Sequence, residues 1–194
     1  MDTVKNDRVL ITIDRTIWSE KAAELIRVIF QKPEIIYFDF GQQYPDQVES
    51  WKGDWLINFK SDILFSQKTL LSAVKGCINF HPAPPKYRGV GGYIYALQNK
   101  DENFGVTSHH MIEKIDAGSI IKTITFPILK GETDESLSNR TGAFLLTLFY
   151  YVIPYIAEGK DFPVSNKNWG EKLYTRKGLK LYKQEHNIKS NLPL

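Results

Sequence analysis

The chain has 194 residues, a formal net charge of +3, 42% apolar residues and 24% charged residues. That balance describes one ordinary globular domain with a core of its own, and it excludes a disordered, collagen-like or disulfide-stapled chain. The single cysteine, Cys77, excludes an internal disulfide and points to a reducing compartment.

The first residues, MDTVKNDRVL, carry no apolar leader core, and no run reaches the ~18 apolar residues of a membrane span. The expectation is a cytoplasmic protein with no membrane contact. Arg8 to Ile13 reads as a strand. Ser19 caps a helix in which Ala22, Ala23, Leu25, Ile26, Ile29 and Phe30 recur at helical spacing, with Pro33 beyond its end. Residues 34–40 and 54–59 read as further strands, and 67–74 as a short helix. The next strand is the apolar run GCINF, where Cys77 serves as a small buried hydrophobe.

Strands alternating with helices predict an α/β fold with an open, mostly parallel twisted sheet and flanking helices. Such sheets take ligands beyond the carboxyl ends of their strands. His81 falls one residue past the end of GCINF. The prolines that follow, Pro82, Pro84 and Pro85, force the chain out of regular structure there. Gly89, Gly91 and Gly92 then form a permissive loop that matches no phosphate-binding pattern, and a helix starts near Tyr93. Two strands joined across Asp116, Ala117 and Gly118 follow, then a long amphipathic helix over 133–159 that Pro154 should kink or shorten.

From Phe162 the pattern dissolves into a polar segment with no second core. From Glu171 to Leu194, Lys172, Arg176, Lys177, Lys180, Lys183 and Lys189 stand against only Glu171 and Glu185. That segment reads equally as a solvated basic tail or as a face for a phosphate-bearing partner. Residues 1–160 are taken as the catalytic domain, with a compressed N-terminal half. Residues 161–194 are an extension that packs on it or contributes to an acceptor site.

Three residues carry the chemistry: Asn79, His81 and Asp116. Residues two apart in a strand share a face, so Asn79 and His81 project together. An amide donates to a developing oxyanion, an imidazole moves a proton near neutral pH, and a carboxylate orients either. Singly, each has an ordinary structural use. A metal site from His81, His109, His110 and Asp116 is not expected, because adjacent strand histidines face opposite sides.

The stretch INFHPAPPKYRG, followed by GVTSHHMIEKIDAGSII, resembles the folate-dependent formyltransferases, which share a Rossmann-like sheet. Their N-x-H, proline loop, glycine and H-x6-D-x-G correspond here to Asn79, His81, Pro84 or Pro85, Gly89, His109, Asp116 and Gly118. The resemblance spans about residues 54–157. It implies a primary amine attacking the formyl carbon of N10-formyltetrahydrofolate, a co-substrate, with no metal. By resemblance, Asn79 and protonated His81 donate to the tetrahedral oxygen, and Asp116 holds His81 and a water. His109 and Gly118 would support them. The resemblance places the pteridine at Lys60, Ser61, Asp62, Ile63, Leu64 and Phe65.

For the acceptor, the PAPP loop, HHM and the ending WGEKLYTRKGL look similar to the short N-formyltransferases of nucleotide-linked amino sugars, such as dTDP- or GDP-4-amino-4,6-dideoxy sugars used in polysaccharide biosynthesis. Candidate acceptor contacts are Lys86, Tyr87, Arg88, Gly89, Trp169, Tyr174 and Arg176, with Tyr182 and Lys172 beside them. Methionyl-tRNA and glycinamide ribonucleotide acceptors remain alternatives. The first is disfavoured because the segment after the long helix is too short for a tRNA-holding barrel, which also argues against a nucleic-acid partner. The second is disfavoured because TIDRTIWSE lacks a glycine-rich phosphate loop. A formyltetrahydrofolate hydrolase and a folate-binding module without catalysis also stay open, as does a homodimer.

Overall fold

The computed structural model describes residues 6–190. Its centre is a six-stranded sheet of order β2-β1-β3-β4-β6-β7. The strands are β1 (Val9–Ile13), β2 (Glu34–Tyr37), β3 (Gly53–Phe59), β4 (Ala73–His81), β6 (Asn103–His110) and β7 (Ile120–Pro127). The first four run parallel, whereas β4 to β6 and β6 to β7 are antiparallel. A separate two-stranded ribbon pairs β5 (Arg88–Gly89) with β8 (Leu173–Tyr174).

Central strands read as near-continuous apolar runs because both faces are covered. One face carries α1 (Ile17–Ile29) and α5 (Asp134–Glu158), whose Leu145, Leu148, Phe149 and Val152 are fully buried. Phe149 sits 5.2 Å from the ring of Phe59 and 4.8 Å from that of Phe80, so truncating it to alanine costs about 3–5 kcal/mol. Among the described residues α5 is also the one helix long and apolar enough to cross a membrane, and half of its most apolar stretch is buried against the protein. The other face is thinner, with α2 (Asp46–Ser50) and α3 (Gln67–Leu71) over Leu10, Leu56 and Cys77. Burial pushes the Cys77 thiol up to about 12, as befits a packing residue.

Several boundaries differ from the sequence reading. Helix α1 begins at Ile17 after Thr16, because Ser19 turns its hydroxyl to Asp14 and does not serve as the cap. Strand β2 ends at Tyr37, leaving Phe38 to Phe40 in the following loop. Helix α3 has five residues, and the β-branched stretch from Ala73 joins β4 instead. His81 is therefore the last residue of that strand rather than one past it. The connection from β6 to β7 spans residues 111–119, longer than a turn at Asp116. Pro154 does not shorten α5, which continues to Glu158 and closes on Gly159 in the left-handed region.

The C-terminal segment is not a bare tail. It forms β8 and α6 (Arg176–Glu185), and it packs on the domain through Phe162 against Trp55, Tyr174 against Tyr95, and buried Leu179. Lys177 and Lys180 lie on the outer face of α6, which buries Leu179, and Lys172 and Lys189 flank that helix.

Candidate active site

The carboxyl ends of the parallel strands carry a line of polar side chains at one level. Register places Thr12 opposite Asn58, Asn58 opposite Asn79, and Asn79 opposite His109, on four neighbouring strands. The side chains are joined. Thr12 Oγ1 lies 2.7 Å from Asn58 Oδ1, Asn58 Nδ2 donates to Asn79 Oδ1 at 2.9 Å, and Asn79 Nδ2 is 2.9 Å from His109 Nε2. The line ends at Asp116, whose Oδ1 is 3.2 Å from both His109 Nε2 and Asn79 Nδ2.

Asp116 reaches this point because its loop turns back with φ +41°, in the left-handed region that aspartate tolerates better than most residues. Gly118 allows the turn, since any side chain there would strike the His110 carbonyl. The second carboxylate oxygen, Oδ2, accepts the Gly89 N–H at 2.8 Å and faces His81 Nδ1 at 3.4 Å. Burial opposes the charge of Asp116, but the imidazoles of His81 and His109 and the Gly89 N–H outweigh it. They hold the carboxyl well below the usual carboxylate range.

The two histidines are presented differently. His109 Nδ1 donates to the His110 carbonyl at 2.8 Å, which leaves Nε2 facing Asn79 and Asp116. His81 Nε2 donates to the Tyr87 carbonyl at 2.8 Å and Nδ1 faces Asp116, so both of its nitrogens are engaged. His110 points to the opposite face, against Phe162. Among the described residues no group of three or more His, Cys, Asp or Glu side chains is arranged to hold a metal ion.

Beside this cluster lies a cavity of about 290 Å³. Asn58, Asn79, His109, Glu113 and Asp116 supply its polar wall, and Ile63, Phe65, Leu70 and Met111 its apolar wall. Leu64, Ile112 and Ile115 also line it and are 63%, 49% and 37% exposed. His81 does not line it. Of the predicted pteridine residues, Ile63, Leu64 and Phe65 do, and Lys60, Ser61 and Asp62 do not. Lys60, with φ +62°, pairs with Asp14 at 2.5 Å. Ser61 bonds the Phe38 carbonyl, and Asp62 pairs with Arg176 at 2.6 Å.

Most of the predicted acceptor contacts have other duties. Arg88 is buried, with Nε on the Asp116 carbonyl at 2.8 Å, Nη2 on that of Ile115 at 2.9 Å, and Nη1 at 3.3 Å from the carbonyls of Gly170 and Glu171. It is a clamp between the Asp116 loop and the C-terminal segment, and its donors serve carbonyls rather than a phosphate. Tyr87 is core, with its hydroxyl on Asp101. The Gly89 N–H is spent on Asp116. Tyr174 packs between Tyr87 and Tyr95. Lys86 is exposed and paired with Asp101, and Arg176 lies 3.8 Å over the Phe40 ring. Trp169 sets its ring edge-on to His109 at 4.8 Å and to His81 at 6.0 Å, with Nε1 donating to the Gly118 carbonyl at 2.7 Å. It walls the imidazoles rather than standing free for a base.

Sequence reasoning missed Thr12 and Asn58. A signal was present: LINFK at 56–60 and CINFH at 77–81 repeat the same Asn, two residues before a strand's polar exit.

Fold and cluster define an open α/β protein with an amide donor, a carboxylate and one imidazole gathered at one cavity wall, and a second imidazole behind the carboxylate. A family model described as formyl transferase matches residues 41–151, more than half of the chain, and the chain belongs to that family. It is 33% identical over 125 residues to a methionyl-tRNA formyltransferase of Geobacillus sp. (strain WCH70), a match covering 63% of this chain and 39% of that protein. It is 30% identical over 163 residues to the bifunctional polymyxin resistance protein ArnA of Wigglesworthia glossinidia brevipalpis, covering 77% of this chain and 25% of that protein. The chain thus spans between a quarter and two fifths of the length of these curated relatives. Among solved structures, an N-formyltransferase from Helicobacter canadensis, in complex with folinic acid and dTDP-3-aminofucose, superposes with a TM-score of 0.72 at 20% identity, covering 87% of this chain and 71% of that one. At that identity the likeness concerns the fold.

Proposed function

We propose that this protein transfers a formyl group from N10-formyltetrahydrofolate to the primary amine of a nucleotide-linked amino sugar. The observation that carries the reading is the convergence of Asn79 Nδ2, His109 Nε2 and Asp116 Oδ1 within 3.2 Å of one another on the wall of the 290 Å³ cavity. Amine attack on a formyl carbon develops a negative oxygen and leaves a proton to be moved from the attacking to the departing nitrogen. Asn79 supplies a fixed N–H for the oxygen. Asp116, gripped by both imidazoles, supplies the proton-handling pair. The cavity, with one polar and one apolar wall, suits a ring system with an apolar face and polar edges, and Leu64, Ile112 and Ile115 extend the apolar surface outward.

The amino-sugar acceptor is favoured by the PAPP loop and by the folded, basic C-terminal segment beside the site. The position where a glycine-rich loop would take a ribonucleotide phosphate is occupied by Asp14, held by Thr16, Ser19 and Lys60. Residues 161–190 are read as part of the acceptor side. The deciding experiment incubates the protein with N10-formyltetrahydrofolate and a panel of amines that includes nucleotide-linked 3- and 4-amino sugars, glycinamide ribonucleotide and methionyl-tRNA. Formylation of a sugar amine is the expected result. Formylation of another acceptor, formate release alone, or no turnover each rejects the reading.

A further inference from the structure

We infer that Asn58, itself anchored by Thr12 and Ser61, is a positioning residue that fixes which end of the Asn79 amide faces the reacting centre. The inference rests on the formyl-transfer reading above for its catalytic consequence, but its geometric content stands apart from it.

An asparagine amide has a donor end and an acceptor end of nearly equal size, and only the donor end stabilises a negative oxygen. Something must select between the two. At Asn79 two sides select it: the Asp116 carboxylate, an acceptor only, holds the NH2 end, and a chain of bonds crossing the sheet holds the oxygen end. The Ser61 carbonyl, an acceptor only, lies 3.1 Å from Asn58 Nδ2 and fixes the amide of Asn58 with its nitrogen on that side. Thr12 Oγ1 donates to Asn58 Oδ1 at 2.7 Å, consistent with the same orientation. The second N–H of Asn58 then points at Asn79 Oδ1 at 2.9 Å. Asn79 is left with its NH2 group towards His109, Asp116 and the cavity. Thr12 is fully buried and Asn58 is 6% exposed, so water cannot substitute for either partner at low cost. The strand register that aligns Thr12, Asn58, Asn79 and His109 is what makes the relay continuous.

Reversing the polarity of Asn58 should reverse Asn79. In Asn58→Asp both side-chain oxygens accept, so residue 58 competes with Asp116 for the Asn79 NH2 group, and where residue 58 holds it the Asn79 carbonyl turns to the reacting centre. A carbonyl there opposes a developing oxyanion. The expected loss in kcat is the ~10²–10³-fold of a missing oxyanion donor, although Asn79 itself is still present. Because the effect passes through Asn79, the double variant Asn58→Asp/Asn79→Ala should be no slower than Asn79→Ala alone.

The carboxylate that Asn58→Asp introduces also meets the Ser61 carbonyl, which can loosen that loop. Asn58→Leu therefore provides a second variant: it releases the Asn79 amide without repelling Ser61, and is expected to lose about tenfold. Side-chain amide NMR reads the orientation without turnover. In the wild type the Asn79 NH2 protons should show cross-relaxation to the His109 ring, and in Asn58→Asp to the side chain of residue 58. If those contacts are the same in both proteins, the relay does not set the amide and the inference fails, whatever the activity. It also fails if Asn58→Asp keeps wild-type kcat, or if its loss multiplies with that of Asn79→Ala. An absence of formyl transfer in the wild type with the NMR contacts as expected would reject the proposed function and leave the orientation assignment standing.

Discussion

Replacing Asn79 by alanine separates catalysis from folding at this site, and both effects follow from its three contacts. Asn79 accepts one hydrogen bond, from Asn58 Nδ2 at 2.9 Å, and directs its own N–H groups at His109 Nε2 and Asp116 Oδ1. Alanine leaves one Asn58 N–H without a partner in the empty site, while the other keeps the Ser61 carbonyl at 3.1 Å. One orphaned buried donor costs about 1–3 kcal/mol, against a domain stability of about 5–15 kcal/mol, so the variant stays folded. For a domain of this size that corresponds to a fall in Tm of roughly 2–12 °C. The catalytic loss is separate and larger in proportion: removing an oxyanion donor lowers the rate ~10²–10³-fold. The assay is single-turnover formyl transfer at saturating donor and acceptor, run beside thermal unfolding of the same preparation. A folded Asn79→Ala protein within about threefold of the wild-type rate would refute the oxyanion role.

The paired grip on Asp116 implies that His81→Ala and His109→Ala each lose about 10²–10⁴-fold in kcat while remaining folded; a variant of either that keeps full activity removes that histidine from the proton-handling unit. Trp169 walls both imidazoles, so Trp169→Ala should raise formate release in the absence of acceptor relative to productive transfer, and an unchanged ratio argues against the wall. The Asp14–Lys60 pair predicts a pH signature. Burial opposes the Asp14 charge, but Lys60, Ser19 and Thr16 outweigh it and hold the carboxyl below its ordinary 3.8. Its stabilisation is therefore complete above about pH 4 and lost as pH falls through the depressed value, where the unfolded chain takes up the proton first. Lys60 is also buried, yet Tyr93 and Asp14 raise it above 10.5, so its share is present below that pH and lost as pH rises through the raised value. Asp14→Asn should flatten the acid limb of a Tm-against-pH curve; an unchanged limb contradicts the pairing.

The grouping of Asn79, His81, His109 and Asp116 was legible because it depends on residue type at short spacing. N-x-H on one strand and H-x6-D-x-G on a strand and loop put an amide, two imidazoles and a carboxylate at strand ends whatever the remaining details. The relay behind them was not legible, because it depends on register. Nothing in LITID or LINFK says that Thr12 and Asn58 stand level with Asn79 until the parallel pairing is known. Arg88 misled for a different reason. A cation beside Lys86 and Tyr87 resembles a phosphate contact, yet the Asp116 loop and the C-terminal segment both needed carbonyls bonded, and a five-donor guanidinium meets four of them at once. The C-terminal segment looked structureless because α6 is polar on average, although Leu179 and Tyr182 recur at helical spacing and both turn to the core.

The acceptor end turns on which cation at the strand ends is available to an anion. The N-terminus of α1 is closed to one, since the Asp14 carboxylate already collects the Thr16 N–H, the hydroxyls of Thr16 and Ser19, and Lys60 at 2.5 Å. Breaking a buried pair of that kind leaves an uncompensated charge and is strongly unfavourable. Arg176 differs. It pairs with Asp62, which is 39% exposed, and lies over Phe40, which is 60% exposed. The Arg176 side chain is 22% exposed, so the pair is half-buried, but its carboxylate side is open to solvent, and a diphosphate, with more charge than a single carboxylate, can replace Asp62 as its partner. Asp62 directly precedes Ile63 and Leu64 of the cavity wall, and its ion pair brings this cation to the segment that forms that wall. Arg176→Gln should therefore raise the KM for a nucleotide-linked acceptor by about tenfold or more and leave the KM for the formyl donor unchanged. Asp62→Asn should lower the acceptor KM by up to about fivefold, because it frees the same guanidinium. Equal losses in both variants would make the pair a structural tie for α6 and move the diphosphate elsewhere.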